Sequence, residues 1–213
     1  MPPKSLLDTI IMELDNTFRT LLPPPQRVSA RKSPAQGVDE SPLSLKEKKH
    51  IAGLMRVNHA GEVCAQALYQ GQALTAQLDQ VKEQMAQAAA EEIDHLAWCE
   101  ARLSELASQP SMLNPIWYCG SLLIGALAGL AGDKVSLGFV AETERQVTSH
   151  LQLHLQALPE EDKKTKIILE KMQEDEEHHA TVAMNAGAKE LPYILKQLMS
   201  TVSKIMTKSS YYL

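Results

Sequence analysis

Two tetrads, Glu92-Ile93-Asp94-His95 and Glu176-Glu177-His178-His179, each set a carboxylate and an imidazole three positions apart. On a helix such a pair projects from one face, about one turn apart. Each tetrad follows a helical segment that carries another glutamate on its apolar stripe. Glu62 precedes Glu92 by 30 residues and Glu144 precedes Glu176 by 32, so the same helical hairpin is written twice. Four carboxylates and two imidazoles turned into one bundle core form the ligand set of di-iron or di-manganese carboxylate proteins. The expected fold is therefore all-α, a ferritin-like four-helix bundle.

The 213 residues suit a single bundle domain, expected over 44–213, preceded by an amphipathic helix and a Pro-rich linker over 1–43. Few aromatics and many Ala, Leu, Gln and Glu favour helix over sheet. A formal charge of −5 gives no electrostatic reason to expect nucleic acid. Three cysteines without a C-x-x-C pair suit a reducing compartment. Asp8, Glu13 and Asp15 interrupt the N-terminal apolar pattern, so no secretory signal is read there.

Leu6, Leu7, Ile10, Ile11, Leu14, Phe18, Leu21 and Leu22 recur at helical spacing and predict an amphipathic helix, for the bundle or for a membrane surface. Pro23 to Pro25, Pro34 and Pro42 then mark a linker of low structural content. Ser44 and Glu47 read as a capping box opening a helix over 45–78, striped by Met55, Glu62, Gln66 and Tyr69. A second helix, Gln80 to Ser108, has the seam Met85, Ala88, Glu92, His95, Cys99, Arg102, Leu106; Glu91, Asp94 and Glu100 fall off it, as solvated residues would.

Ile116 to Ala131 carries no charged side chain, yet its 16 residues fall short of the roughly 20 needed to span a bilayer. It is expected to be a long apolar crossover helix between two hairpins, with surplus hydrophobicity for lipid or a partner. The third bundle helix, Asp133 to Ala157, has Glu144 on its stripe and Glu142 off it; His150 and His154 read as exposed, with His150 open to supporting the site. The fourth, Glu160 to Ala186, has the seam Met172, Glu176, His179, Ala183 with Gly187 as its cap; Asp175 and His178 offer a competing pair at the same spacing. A last amphipathic helix, Leu191 to Met206, either packs on the bundle or anchors at a membrane through Lys196, Lys204, Lys208, Tyr211 and Tyr212.

Taken singly, each group has a plainer reading: Glu62 on a surface face, His95 as a satisfied core histidine. Six such groups on seams argue for a shared site. Oxygen and imidazole ligands without thiolate suit iron or manganese, and open positions on reduced di-iron suit O2. Periodicity does not name the substrate.

Arg56-Val57-Asn58-His59-Ala60-Gly61-Glu62, continuing to Tyr69-Gln70-Gly71-Gln72, resembles the first ligand motif of the demethoxyubiquinol hydroxylases of ubiquinone biosynthesis. Glu91-Glu92-Ile93-Asp94-His95-Leu96, Asp175-Glu176-Glu177-His178-His179 and the order of the chain from about residue 45 are similar too. The resemblance implies Glu62, Glu92, His95, Glu144, Glu176 and His179 as ligands of two iron ions. It also implies O2-dependent hydroxylation of a polyprenylated methoxy-methyl-benzoquinol. An electron donor is needed, with room for accessory lipid-binding or biosynthetic-complex proteins, and the expected place is the cytoplasmic face of a bacterial inner membrane, held peripherally. The rivals are an iron-storage protein of many irons per subunit, a di-metal protein of manganese-catalase type or a radical-generating subunit using Tyr69, and a metal-free bundle.

Overall fold

The computed structural model describes residues 6–22 and 27–213, and only the backbone of Leu6, Thr9, Ile10 and Gln80. Pro23 to Pro25, and the side chains of Leu6 and Ile10, lie outside the described residues. Among those described, seven helices and no strand are present: α1 (Leu6–Leu21), α2 (Leu45–Thr75), α3 (Asp79–Glu105), α4 (Asn114–Leu130), α5 (Asp133–Ala157), α6 (Lys163–Asn185) and α7 (Tyr193–Tyr212).

The ends follow local chemistry. At α2 the Ser44 hydroxyl accepts from the Glu47 N–H and the Glu47 carboxylate accepts from the Ser44 N–H, completing the capping box. Asp162, not Glu160, caps α6 by accepting from the Thr165 N–H. Helix α3 stops at Glu105, short of the expected Ser108, in a turn where Ala107 takes φ 53° and the Ser108 N–H reaches the Leu103 carbonyl. Gly187 closes α6 with φ 95°.

Two apolar clusters fill the space among α2, α3, α5 and α6. One includes Ile51, Met55, Trp98, Leu103, Leu151, Leu169 and Met172. The other, built largely of small residues, includes Ala65, Tyr69, Met85, Leu137, Val140 and Ala183. In every one of the four helices the tetrad or lone glutamate falls between the two clusters along the chain. Alanines in the second cluster leave space beside those polar groups.

Helix α4 packs along α2 at backbone distance. A Cβ on Gly71 would fall on the Leu122 carbonyl oxygen, and one on Gly125 on that of Leu68. No helix among the described residues is long and apolar enough to cross a membrane.

The terminal helices turn the unexpected face inward. Helix α1 meets the bundle through Thr17, whose hydroxyl bonds that of Tyr118, and through Glu13, which accepts from Gln70; Leu7, Ile11, Leu14 and Phe18 point out. Helix α7 runs six residues past the expected Met206 because its end is gripped by polar contacts that apolar periodicity does not register. Trp117 donates to Ser210, and the Tyr211 hydroxyl meets His50. Tyr211 thus bonds His50, and Lys196 pairs with Glu142 and Glu190. The outward side of α7 is instead Ile194, Leu198, Val202 and Ile205.

Candidate metal centre

The six seam residues meet in one place. Glu62, Glu92, His95 and Glu176 place ligand atoms within 4.8 Å of one another, and so do Glu92, Glu144, Glu176 and His179. All six are buried. The pairing is local within each tetrad: Nδ1 of His95 is 3.0 Å from Glu92, and Nδ1 of His179 is 3.0 Å from Glu176, one helical turn apart as the spacing dictates. It is also exchanged between hairpins, with His95 Nδ1 3.1 Å from Glu176 Oε1 and His179 Nδ1 3.4 Å from Glu92 Oε1. Glu92 and Glu176 belong to both groups; Glu62 lies on the His95 side and Glu144 on the His179 side, accepting from the Tyr69 hydroxyl.

The far nitrogens are held as well. His95 Nε2 is 3.0 Å from Asp175, and His179 Nε2 is 2.9 Å from Glu91. Asp175 therefore faces the back of His95 while His178 is exposed, and Glu176 and His179 are the pair turned into the cluster.

Packing so many acids into a dry place has electrostatic consequences. Burial, with repulsion from neighbouring carboxylates, pushes Glu62 and Glu144 well above the ordinary carboxylate range. Burial alone would lower the imidazoles, but the carboxylates reverse it, pushing His179 up to about 12 and His95 well above its usual value. Protons here stand in for positive charge that a cation could supply. Two buried oxygens, Oε1 of Glu92 and Oε1 of Glu176, make no well-aligned hydrogen bond, each having only the approach of an imidazole at 3.4 and 3.1 Å. An unpaired buried carboxylate oxygen is costly, and both of these belong to the acids shared by the two groups. Oxygens and imidazole nitrogens with vacant lone pairs fit hard or borderline metal ions.

Three acids expected to be solvated are not. Asp94 is buried and accepts from Arg31; Glu100 pairs with Arg27 and His59; Glu91 serves His179. All three lie off the seam; Asp94 and Glu100 find arginines on the irregular stretch before α2, while Glu91 reaches across to His179 on α6. His154 is likewise buried, 2.8 Å from Asn58 Oδ1, rather than exposed. His150 is half-buried with its ring 4.0 Å from that of His154.

A cavity of about 200 Å³ opens beside the His179 half, lined by Met85, Ala88, Leu137, Val140, Val182 and Ala183 together with the polar Gln84, Gln87, Glu91 and His178.

These features define an all-helical, ferritin-like bundle with a buried carboxylate–histidine cluster. Consistent with the fold, a solved dodecameric thioferritin, the bacterioferritin-related protein from Bacteroides fragilis, aligns with a TM-score of 0.55 over 71% of this chain and 88% of its own, at 19% identity. The chain belongs to the family described as Ubiquinone biosynthesis protein COQ7, which matches residues 49–210. It is 72% identical over the full length of both chains to a 3-demethoxyubiquinol 3-hydroxylase of Legionella pneumophila strain Paris. A 3-demethoxyubiquinol 3-hydroxylase of Acinetobacter baylyi is 57% identical over 97% of each.

Proposed function

We propose that this chain is an O2-dependent di-iron monooxygenase that hydroxylates the ring of a polyprenylated methoxy-methyl-benzoquinol, the 3-demethoxyubiquinol of its relatives' names, in ubiquinone biosynthesis. The observation that carries the metal reading is the convergence of six buried carboxylate and imidazole groups in two sets that share Glu92 and Glu176, whose Oε1 atoms make no well-aligned hydrogen bond. Full-length identity to named hydroxylases supports the reaction.

Glu62 and His95 would hold one iron, Glu144 and His179 the other, with Glu92 and Glu176 between them. Two iron ions would supply the redox chemistry with O2 that protein side chains lack. The protein's own part is orientation and exclusion of water. Asp175 and Glu91, accepting from the Nε2–H groups, fix each ring so that Nδ1 faces the carboxylates. The Tyr69 hydroxyl donates to Glu144, setting the direction of one terminal carboxylate. The apolar cavity walls beside His179 suit a quinol ring and keep bulk water from the site.

The long substrate tail gives a use to the outward apolar faces. Thr17–Tyr118 joins α1 to α4, and Trp117–Ser210 joins α4 to α7, so three helices with exposed aliphatic side chains adjoin one another. Docking of this surface on the cytoplasmic face of the inner membrane would let substrate pass without crossing water. A reductant for the irons is required by the reaction.

The deciding experiment is to purify the protein, count iron, and follow quinol hydroxylation under labelled dioxygen. Two irons per chain and one labelled oxygen in the ring are expected. Many irons per chain, with no quinol-dependent O2 uptake, would overturn the reading in favour of iron storage.

A further inference from the structure

The two halves of the cluster are not equally supported, and the difference comes from outside the bundle. Asp175, behind His95, accepts from three cationic or imidazole donors: His95 Nε2 at 3.0 Å, Arg31 Nη1 at 2.7 Å and Lys171 at 3.0 Å. Glu91, behind His179, accepts from His179 and, at 3.4 Å, from Gln87, and it lines the cavity.

Arg31 stands on the irregular stretch before α2, yet it is fixed on several sides. Its Nε donates to Asp94 at 2.7 Å, while Asp94 Oδ1 accepts the N–H groups of Ala30 and Arg31. Its guanidinium sits 5.0 Å from the centre of the Trp98 ring, whose other neighbour is the His95 ring at 5.3 Å. One planar fork thus spans Asp94 on α3 and Asp175 on α6. A lysine ammonium cannot reproduce that bridge.

We infer that Arg31 is a positioning residue that, through Asp175, locks the orientation of His95 and so makes the Glu62/His95 half the tighter of two unequal metal positions. The His179 half, backed by a carboxylate that has no cationic partner besides the imidazole and lines the cavity, is the one free to adjust when substrate enters. This rests on the metal reading above, and it assigns a role in the site to the stretch before the bundle.

Stepwise anaerobic titration of the metal-free full chain with Co²⁺, followed by calorimetry and visible absorption, tests it. Wild-type protein should show two steps of different affinity. Arg31→Gln should weaken the tighter step by about tenfold, the low end of the 10–100-fold usual for disturbing the groups that orient a ligating histidine, and leave the weaker step unchanged. Arg31→Lys should fall between the two, and it carries the test if Arg31→Gln does not fold. Asp175→Asn should reproduce the loss, with Arg31→Gln adding nothing further to it. Asp94→Asn, which loosens the other end of the same bridge, should weaken the tighter step in the same direction as Arg31→Gln and leave the weaker step unchanged. Arg31 variants with both steps as in wild type, or with both weakened equally, would overturn the inference. Wild-type protein that binds no metal would instead overturn the reading of the site itself.

Discussion

Nε2 of His179 lies 2.9 Å from Oε2 of Glu91, the acid that immediately precedes Glu92 on the other hairpin. Asp175, immediately preceding Glu176, does the same for His95. Each motif therefore reads acid-Glu-x-x-His, in which the first acid backs the histidine of the opposite motif and the glutamate faces the cluster. The exchange explains why two adjacent acids with the same chemistry have different duties.

Glu176→Ala is expected to lose metal and activity together, because Glu176 is shared by both groups and 1% exposed. Glu177→Ala, on the exposed face of the same turn, should keep both. Metal content by atomic emission and quinol-dependent O2 uptake check the pair. The reverse result would move the register of α6 by one residue.

The cavity beside His179 gives a separable prediction. Ala88 lies on its wall, and Ala88→Phe would fill much of the about 200 Å³ without removing any ligand. Metal content should stay at the wild-type value while kcat/KM for the quinol falls at least about tenfold, from lost access to the site. Unchanged turnover on long-tailed substrate would show that the ring enters elsewhere.

Acid sensitivity should report His154. Burial, together with His150 and His50, pushes its imidazole down to about 3 from the ordinary 6.5. The folded state thus favours the neutral ring, bonded to Asn58. Its contribution is complete above about 6.5 and is lost as pH falls toward 3, at a slope of at most about 1.4 kcal/mol per pH unit. Urea unfolding of the metal-free protein at pH 7 and pH 5 should show His154→Gln less stable at pH 7 and the gap narrowing at pH 5. A constant gap would mean that the ring protonates equally in both states.

Close packing of α4 on α2 depends on glycine. Gly71→Ala would drive a Cβ into the Leu122 carbonyl, a backbone atom that cannot turn aside, and should cost about 1–3 kcal/mol. Gly61→Ala on the same helix meets nothing within 4 Å and should be neutral or slightly stabilising. Thermal melts of the two variants make the comparison.

The repeated Glu-x-x-His and the seams around it were legible because side chains that converge from one helix on a shared site must obey the helix's own period. Glu62, Glu92, His95, Glu144, Glu176 and His179 all sit where 3.6-residue spacing puts them, and folding brings them together. Asp94, Glu100 and Arg31 were opaque for the opposite reason: their pairing depends on the path of residues 27–43, which has no period to read. The one available signal was the pair Arg27 and Arg31 in a Pro-interrupted stretch without helical period. Helices α1 and α7 were legible as amphipathic, but amphipathicity does not say which face is turned inward.

That inversion supports the last prediction. Turning polar Thr17 and Ser210 toward the bundle while leaving Leu7, Phe18, Ile194 and Leu198 outside makes little sense for a helix surrounded by water. Between them α4 exposes Leu123 and Leu127 at 62% and 58%. Removing one leucine side chain from water is worth about 1.5–3 kcal/mol. Leu123→Glu with Leu127→Glu should therefore lower partition into vesicles of phosphatidylethanolamine and phosphatidylglycerol on the order of a hundredfold. Metal content and melting temperature should stay near wild type, since neither side chain is buried. Activity should fall on a long-tailed quinol in vesicles and persist on a short-tailed one in solution. Cosedimentation measures the partition directly, and binding that survives both substitutions would place the membrane contact elsewhere on the molecule.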